Sequence, residues 1–129
     1  MNILAVDDER DTREFLKNLL TRESYRVSTA SSALQAMALV QLERFDLVLV
    51  DLMMPGVDGH QLMQFLSSHW TTFDIPVIVL SCRTDAESKS CAKILGCASY
   101  IEKPFSPAEL LDAIHDVDQG LHEEAMIHR

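Results

Sequence analysis

The stretch that most narrows the fold is Leu47-Val48-Leu49-Val50-Asp51, continued by Leu52-Met53-Met54-Pro55-Gly56-Val57-Asp58-Gly59. Four consecutive apolar residues, two of them β-branched, read as a strand buried on both faces. The run stops at one carboxylate, Asp51, and Pro55-Gly56 and Asp58-Gly59 then force turns. A lone acid therefore stands at the carboxyl end of a buried strand, on the lip of a loop, which is where open parallel α/β sheets bind ligands. Taken by itself the stretch is equally well explained by Asp51 capping the turn, so the rest of the chain has to decide.

At 129 residues the chain is one domain with room for a real core, and 47% apolar with 24% charged residues is ordinary globular composition. No apolar run approaches the ~20 residues of a membrane span, and Met1-Asn2-Ile3-Leu4-Ala5-Val6-Asp7 lacks the basic flank of a signal peptide. The expectation is a cytoplasmic protein with no membrane insertion. A formal charge of −9 disfavours a chain whose task is direct nucleic acid binding, because phosphate contacts need positive surface. It suits a divalent cation or a basic partner, although solubility alone explains acidity as well. The three cysteines, Cys82, Cys91 and Cys97, contain no Cys-x-x-Cys and read as buried thiols of a reducing compartment. The five histidines show no metal-ligand spacing, and His115 and His122 read as members of a solvated helix face.

Along the chain, Asn2 to Val6 is a short apolar strand ending in Asp7-Asp8-Glu9, and the helix after it has an acidic first turn and carries Phe15, Leu16, Leu19 and Leu20 on one stripe. Tyr25 to Ala30 is a second strand; Ser31 or Ser32 caps a helix with Ala33, Ala36, Met37 and Val40 inward. After the Asp51 strand, Gly59 opens a helix with Leu62, Phe65 and Leu66 inward. Pro76 to Ser81 is another fully apolar strand, Asp85 to Leu95 a polar helix closed by Gly96, and Ala98 to Glu102 a strand ending in Lys103-Pro104. Ser106-Pro107 starts a last helix with Leu110, Leu111, Ile114 and Val117 inward. The reading is (βα)5, a doubly wound five-stranded parallel sheet covered by helices on both sides, occupying residues 1–118. Residues 119–129 read as a polar tail, or the start of a linker, expected to fray.

The strand ends then supply a set: Asp7 and Asp8 from the first, Asp51 from the third, Ser81 from the fourth and Lys103 from the fifth. If the sheet order is 2-1-3-4-5, the flavodoxin-like order, the three acids converge on one crevice. Like charges so close raise one another's pKa, which a cation would relieve. The donors are all oxygen, so the ion is hard: Mg²⁺, with Mn²⁺ possible. One carboxylate can also attack phosphorus and form an aspartyl phosphate, with Ser81 and Lys103 holding the phosphoryl oxygens.

This set resembles the response-regulator receiver domain of two-component signalling, over residues 2 to about 118, through Val6-Asp7-Asp8-Glu9, the stretch from Val50 to Gly59, Ser81, and Tyr100-Ile101-Glu102-Lys103-Pro104-Phe105. The resemblance implies a phosphorelay switch rather than an enzyme with a separate substrate. Asp51 accepts the phosphoryl group of a sensor histidine kinase's phosphohistidine, and the domain catalyses its own phosphotransfer and slow dephosphorylation. It implies that Asp8, Asp51 and the main-chain carbonyl of Met53 bind Mg²⁺ directly, with Asp7 acting through water. It implies that Ser81 and Tyr100 are the switch pair, that Lys103 pairs with the phosphoryl group, and that Lys103-Pro104 is a cis peptide. The fourth helix, fifth strand and fifth helix become the surface read by an effector. Met53, Cys82 and Arg83 depart from the family's usual residues beside the phosphoryl group and are expected to tune the lifetime of the phosphorylated state. Two rivals are an aspartate-nucleophile phosphohydrolase, which would want an acid where Met53 stands, and a receiver-like binding module that is never phosphorylated.

Overall fold

The computed structural model describes residues 1–54, 56, 58–83 and 85–127, for 121–127 the backbone alone. Strands and helices alternate as β1 (Asn2–Val6), α1 (Arg10–Arg22), β2 (Arg26–Ala30), α2 (Ala33–Leu42), β3 (Leu47–Val50), α3 (Gly59–Ser68), β4 (Val77–Ser81), α4 (Ala86–Ile94), β5 (Ser99–Glu102) and α5 (Pro107–Ile127). The strands form one parallel sheet in the order β2-β1-β3-β4-β5, the order expected above.

The continuous apolar strands are explained by the two cores they feed. Alternate side chains Leu4, Val6, Val48, Val50, Val77 and Val79 point to one face, against Ala33, Ala36 and Val40 of α2, Leu62, Met63 and Leu66 of α3, and Ala92 of α4. The intervening side chains Ile3, Ala5, Leu47, Leu49, Ile78 and Leu80 point to the other, against Leu16 and Leu20 of α1 and Leu110 and Ile114 of α5. A strand buried on one face only would alternate with polar residues. The edge strand β2 breaks its apolar residues with Arg26, Ser28 and Thr29, and its side chains are mostly half-buried.

Local chemistry starts and stops the helices. Ser32 Oγ accepts the Gln35 N–H at 3.1 Å. Asp58 and Gln61 close a capping box at α3, Asp85 accepts the Ser88 N–H at 2.9 Å, and Ser106 Oγ accepts the Glu109 N–H at 3.1 Å ahead of Pro107. Gly96, just past α4, has φ +89°, the left-handed conformation that ends helices.

Some readings need correction. Cys82 and Cys91 are exposed and Cys97 is only partly buried, because Cys82 stands in the loop after β4 and Cys91 occupies an outward position on a helix that buries little beyond Ala92 and Ser88. Phe15 is exposed and leans on Phe105 (ring centroids 6.4 Å apart) instead of entering the core. Met63 is in the core although it lay outside the stripe read for α3. α5 continues to Ile127, so the polar stretch after residue 118 begins as helix. Pro55, Val57, His128 and the side chain of His122 lie outside the described residues. Among the described residues, no helix is long and apolar enough to cross a membrane.

Candidate functional site

Register brings the acids together. Val6 pairs with Val50 across β1 and β3, and the Asp51 N–H donates to the Val6 carbonyl at 3.0 Å. Asp7, Asp8 and Asp51 thus leave adjacent strands side by side, and one oxygen from each lies within 4.8 Å of the others. Asp7 is 1% exposed and Asp51 is buried, while Asp8 is open to solvent. Lys103, just past β5, reaches back across β4: its Nζ lies 2.7 Å from Asp7 Oδ2 and 3.3 Å from Asp51 Oδ2. Lys103-Pro104 is a cis peptide, as the resemblance implied.

The other carboxylate oxygens are held by the backbone. Asp7 Oδ1 accepts the Glu9 N–H at 2.9 Å, and Asp51 Oδ1 accepts the Met53 N–H at 2.9 Å. Asp51 Oδ1 therefore caps the turn, while Oδ2 faces Lys103 in the charged crevice. Burial raises the Asp51 pKa, and the nearby Asp7 charge adds to this; the Met53 N–H and Lys103 oppose it without cancelling it. Burial works against the Lys103 ammonium, but its hydrogen bond to Asp7 and the charges of Asp7 and Asp51 outweigh that and raise its pKa. One ammonium thus offsets part of a three-carboxylate cluster. The uncompensated part, the all-oxygen donor set and the exposure of Asp8 fit a hard divalent cation arriving from solvent.

Ser81 is fully buried at the end of β4, and its Oγ accepts the Arg83 N–H at 3.2 Å. Tyr100, paired in register with Val79, donates its hydroxyl to the Arg83 carbonyl at 2.7 Å. The two switch candidates are thus coupled through the backbone of one residue. The Arg83 side chain is held by Asp85, Nε to Oδ1 at 3.1 Å and Nη2 to Oδ2 at 3.3 Å. The Ser88 N–H first, and Arg83 second, keep the Asp85 carboxyl well below the usual range. Met53 leaves its side chain more than half exposed beside the crevice. Cys82 lines an open cavity of about 520 Å³ with Glu9, Phe15, Lys103 and Phe105.

Two residues escaped the sequence reading. Arg13 Nη1 donates to the Asp7 carbonyl at 2.8 Å and steadies the acidic turn from α1; that contact depends on the phase of a helix against a strand end, which no motif encodes. Gly59 ends the stretch that carries the resemblance, but from its residue type it reads as a turn and helix start, with no contact to Asp51. A Cβ there would lie 2.5 Å from the Asp51 carbonyl oxygen and 2.7 Å from Leu52 Cα, so glycine lets α3 seat directly on the Asp51 backbone. Gly59→Ala is expected to cost roughly 1–3 kcal/mol of stability and to shift Asp51. Chemical denaturation and the chemical shift of the Asp51 amide measure both, and an unchanged amide would separate Gly59 from the site.

Fold and site together define a doubly wound domain with an acidic cluster facing a lysine across the carboxyl edge of its sheet. The chain belongs to the response regulator receiver domain family, whose model matches residues 3–115. It is 38% identical over 112 residues to response regulator GtcR of Aneurinibacillus migulanus, covering 87% of this chain and 45% of that protein. It is 38% identical over 109 residues to the phosphate regulon transcriptional regulatory protein PhoB of Pseudomonas aeruginosa, covering 84% and 48%. The chain therefore spans about half the length of the curated relatives it matches. Among solved structures, the chemotaxis protein CheY4 of Vibrio cholerae superposes with a TM-score of 0.86 at 30% identity, over 90% of this chain and 97% of that one.

Proposed function

We propose that this domain is a phosphorylation-dependent signalling switch with Asp51 as the phosphoacceptor. The observation that carries the reading is the position of Lys103 Nζ between Asp7 and Asp51, with Asp8 open beside them. An Asp51 carboxylate oxygen attacks the phosphorus of a sensor histidine kinase's phosphohistidine; the O–P bond forms as the N–P bond breaks, and the electron pair returns to the imidazole nitrogen. Lys103 turns from Asp51 to a phosphoryl oxygen while keeping Asp7, and the Ser81 hydroxyl takes a second. Asp8, Asp51 and the Met53 carbonyl would hold Mg²⁺ or Mn²⁺, with Asp7 acting through water. The bound cation would neutralise charge on the carboxylates and on the transferring group.

Recruitment of Ser81 releases the Arg83 N–H, and the Arg83 carbonyl is the acceptor of Tyr100. Any displacement of this backbone therefore reaches β5 and α4. That supports α4, β5 and α5 as the surface through which a downstream effector is controlled. The effector is a domain of the same polypeptide, as the longer curated relatives suggest, or a separate protein, and the setting is the cytoplasm. The test is incubation with Mg²⁺ and a small-molecule phosphodonor, followed by intact mass. One metal-dependent, acid-stable, base-labile phosphoryl adduct is expected. A phosphoryl mimic should then perturb amides of α4 and β5, and Ser81→Ala should blunt this. Absence of an adduct, or shifts confined to the acidic crevice, would leave a receiver fold without the switch.

The phosphorylated state should decay slowly. Hydrolysis needs a water in line with the acyl phosphate, and Met53 offers it no useful hydrogen bond. Met53→Asn is expected to speed decay roughly tenfold, the scale of one hydrogen bond gained in the transition state. Arg83→Ala should do less, because Asp85 already engages the guanidinium. Decay rates of the purified phosphoproteins decide; if neither substitution speeds decay, these residues do not set the lifetime.

A further inference from the structure

We propose that the amino-terminal end of the sheet, opposite the acidic crevice, is a docking surface for a basic amphipathic helix of another protein. Leu42 at the end of α2 and Trp70 and Phe73 between α3 and β4 are 81%, 86% and 65% exposed. Arg44 draws these two connections together: Nη1 donates to the Thr71 carbonyl at 2.8 Å, and Nη2 to the two Asp74 carboxylate oxygens at 3.2 and 3.1 Å. Each apolar residue is within two positions of an end of that bridge, so the three are gathered around it. The core behind them is already filled by Phe45 and Ile75, both buried, which leaves no room for the aromatics to turn in.

The two aromatics stand on a well-tied turn. Buried Thr72 donates its hydroxyl to the Leu66 carbonyl at 2.7 Å. The Thr72 and Phe73 N–H groups share the His69 carbonyl at 3.1 and 2.9 Å, and the Ile75 N–H donates to the Thr72 carbonyl at 3.0 Å. Exposed apolar groups on a fixed scaffold lose little conformational freedom on binding, and tryptophan is among the residues that dominate interface energies. In a chain only 6% aromatic, the single tryptophan stands almost wholly in water, although tryptophan is on average highly buried.

Charge selects the occupant. Exposed Glu43 and Asp74 and half-buried Asp46, whose Oδ2 accepts the Asn2 N–H at 2.7 Å, lie beside the patch, and Arg44 is paired with Asp74. Two copies meeting through this face would bring their acids together on chains of net charge −9, and an anionic bilayer would be repelled in the same way. A helix with an apolar stripe and flanking Lys or Arg satisfies both features: the stripe covers Trp70, Phe73 and Leu42, while the cations meet exposed Glu43 and the face of the Trp70 ring. Leu42 precedes β3, and Trp70 and Phe73 precede β4, whereas Asp51 follows β3, so the ~13 Å that four strand residues span separates the two ends. Docking here uses no side chain of the acidic crevice and acts as a tether.

Because Trp70 is the only tryptophan, its fluorescence reports on this surface alone. Titration with a synthetic amphipathic Leu/Lys helix should shift the emission to the blue and saturate at one peptide per chain. A Leu/Glu peptide of the same pattern should leave it unchanged. Leu42→Ala with Phe73→Ala should weaken binding about tenfold or more, and Glu43→Lys should weaken it clearly. Glu87→Lys, the same charge change on α4, should not, and prior treatment with Mg²⁺ and phosphodonor should leave the affinity unchanged. The proposal is overturned if affinity is insensitive to Leu42 and Phe73, if the Leu/Glu peptide or anionic vesicles shift the emission equally, or if sedimentation shows a dimer that Trp70→Ala dissociates.

Discussion

Asp51→Asn is expected to abolish the phosphoryl adduct and, in the same molecule, to raise the melting temperature of the metal-free protein. The first effect follows because an amide oxygen is not a competent nucleophile toward phosphorus, and no other described carboxylate shares the position of Asp51 over β3. The second follows from the charge balance. Burial and Asp7 raise the Asp51 pKa despite Lys103, so its ionised form is disfavoured in the fold. Asparagine keeps an oxygen for the Met53 N–H and leaves the shorter Lys103–Asp7 contact intact. A gain of about 1–2 kcal/mol corresponds to about 3–8 °C for a domain of this size. With the folded pKa above the unfolded one, wild type carries the penalty at neutral pH. It loses that penalty as pH falls through the folded pKa of Asp51 toward the unfolded value. The advantage of Asp51→Asn should therefore shrink on mild acidification, and Mg²⁺ should stabilise wild type more than the variant. Undiminished labelling, or a lowered melting temperature, would contradict the assignment.

Lys103→Met should have the opposite sign and a larger size. The ammonium is 13% exposed at its side chain and touches two carboxylates, one of them almost wholly buried. Removing it leaves Asp7 and Asp51 without a countercharge, and loss of one partner from a buried pair costs about 3–5 kcal/mol. The variant should melt well below wild type in the absence of metal, recover part of the loss in Mg²⁺, and recover more when combined with Asp51→Asn. The Lys103 pKa is raised in the fold, so its contribution is full below the unfolded lysine value and is lost as pH rises through the folded one. The difference between wild type and Lys103→Met should accordingly close only in strong alkali. Equal melting temperatures at neutral pH would mean that the acids are relaxed by some other group.

The fold was legible because its signals are local or periodic. Runs such as Leu47 to Val50 and Val77 to Leu80 have no polar position, which a two-sided sheet tolerates, and Ser32 and Ser106 announce their helices by short-range hydrogen bonding. The acids, Ser81 and Lys103 were legible as a set because a parallel sheet gathers all strand ends on one edge. What the chain by itself determined is this list of chemically equipped ends. Only the tertiary structure decided how they use one another. Lys103 bridges Asp7 and Asp51, although ninety-six and fifty-two positions separate it from them. Ser81 and Tyr100 meet on the Arg83 backbone, and Gly59 carries α3 onto Asp51. Those contacts depend on helix phase and strand register, which are set by the packing of both cores at once. For the same reason the sequence read Phe15 as core and the cysteines as buried. Apolar character says that a side chain can be covered; whether it is depends on the neighbours that the finished fold leaves beside it.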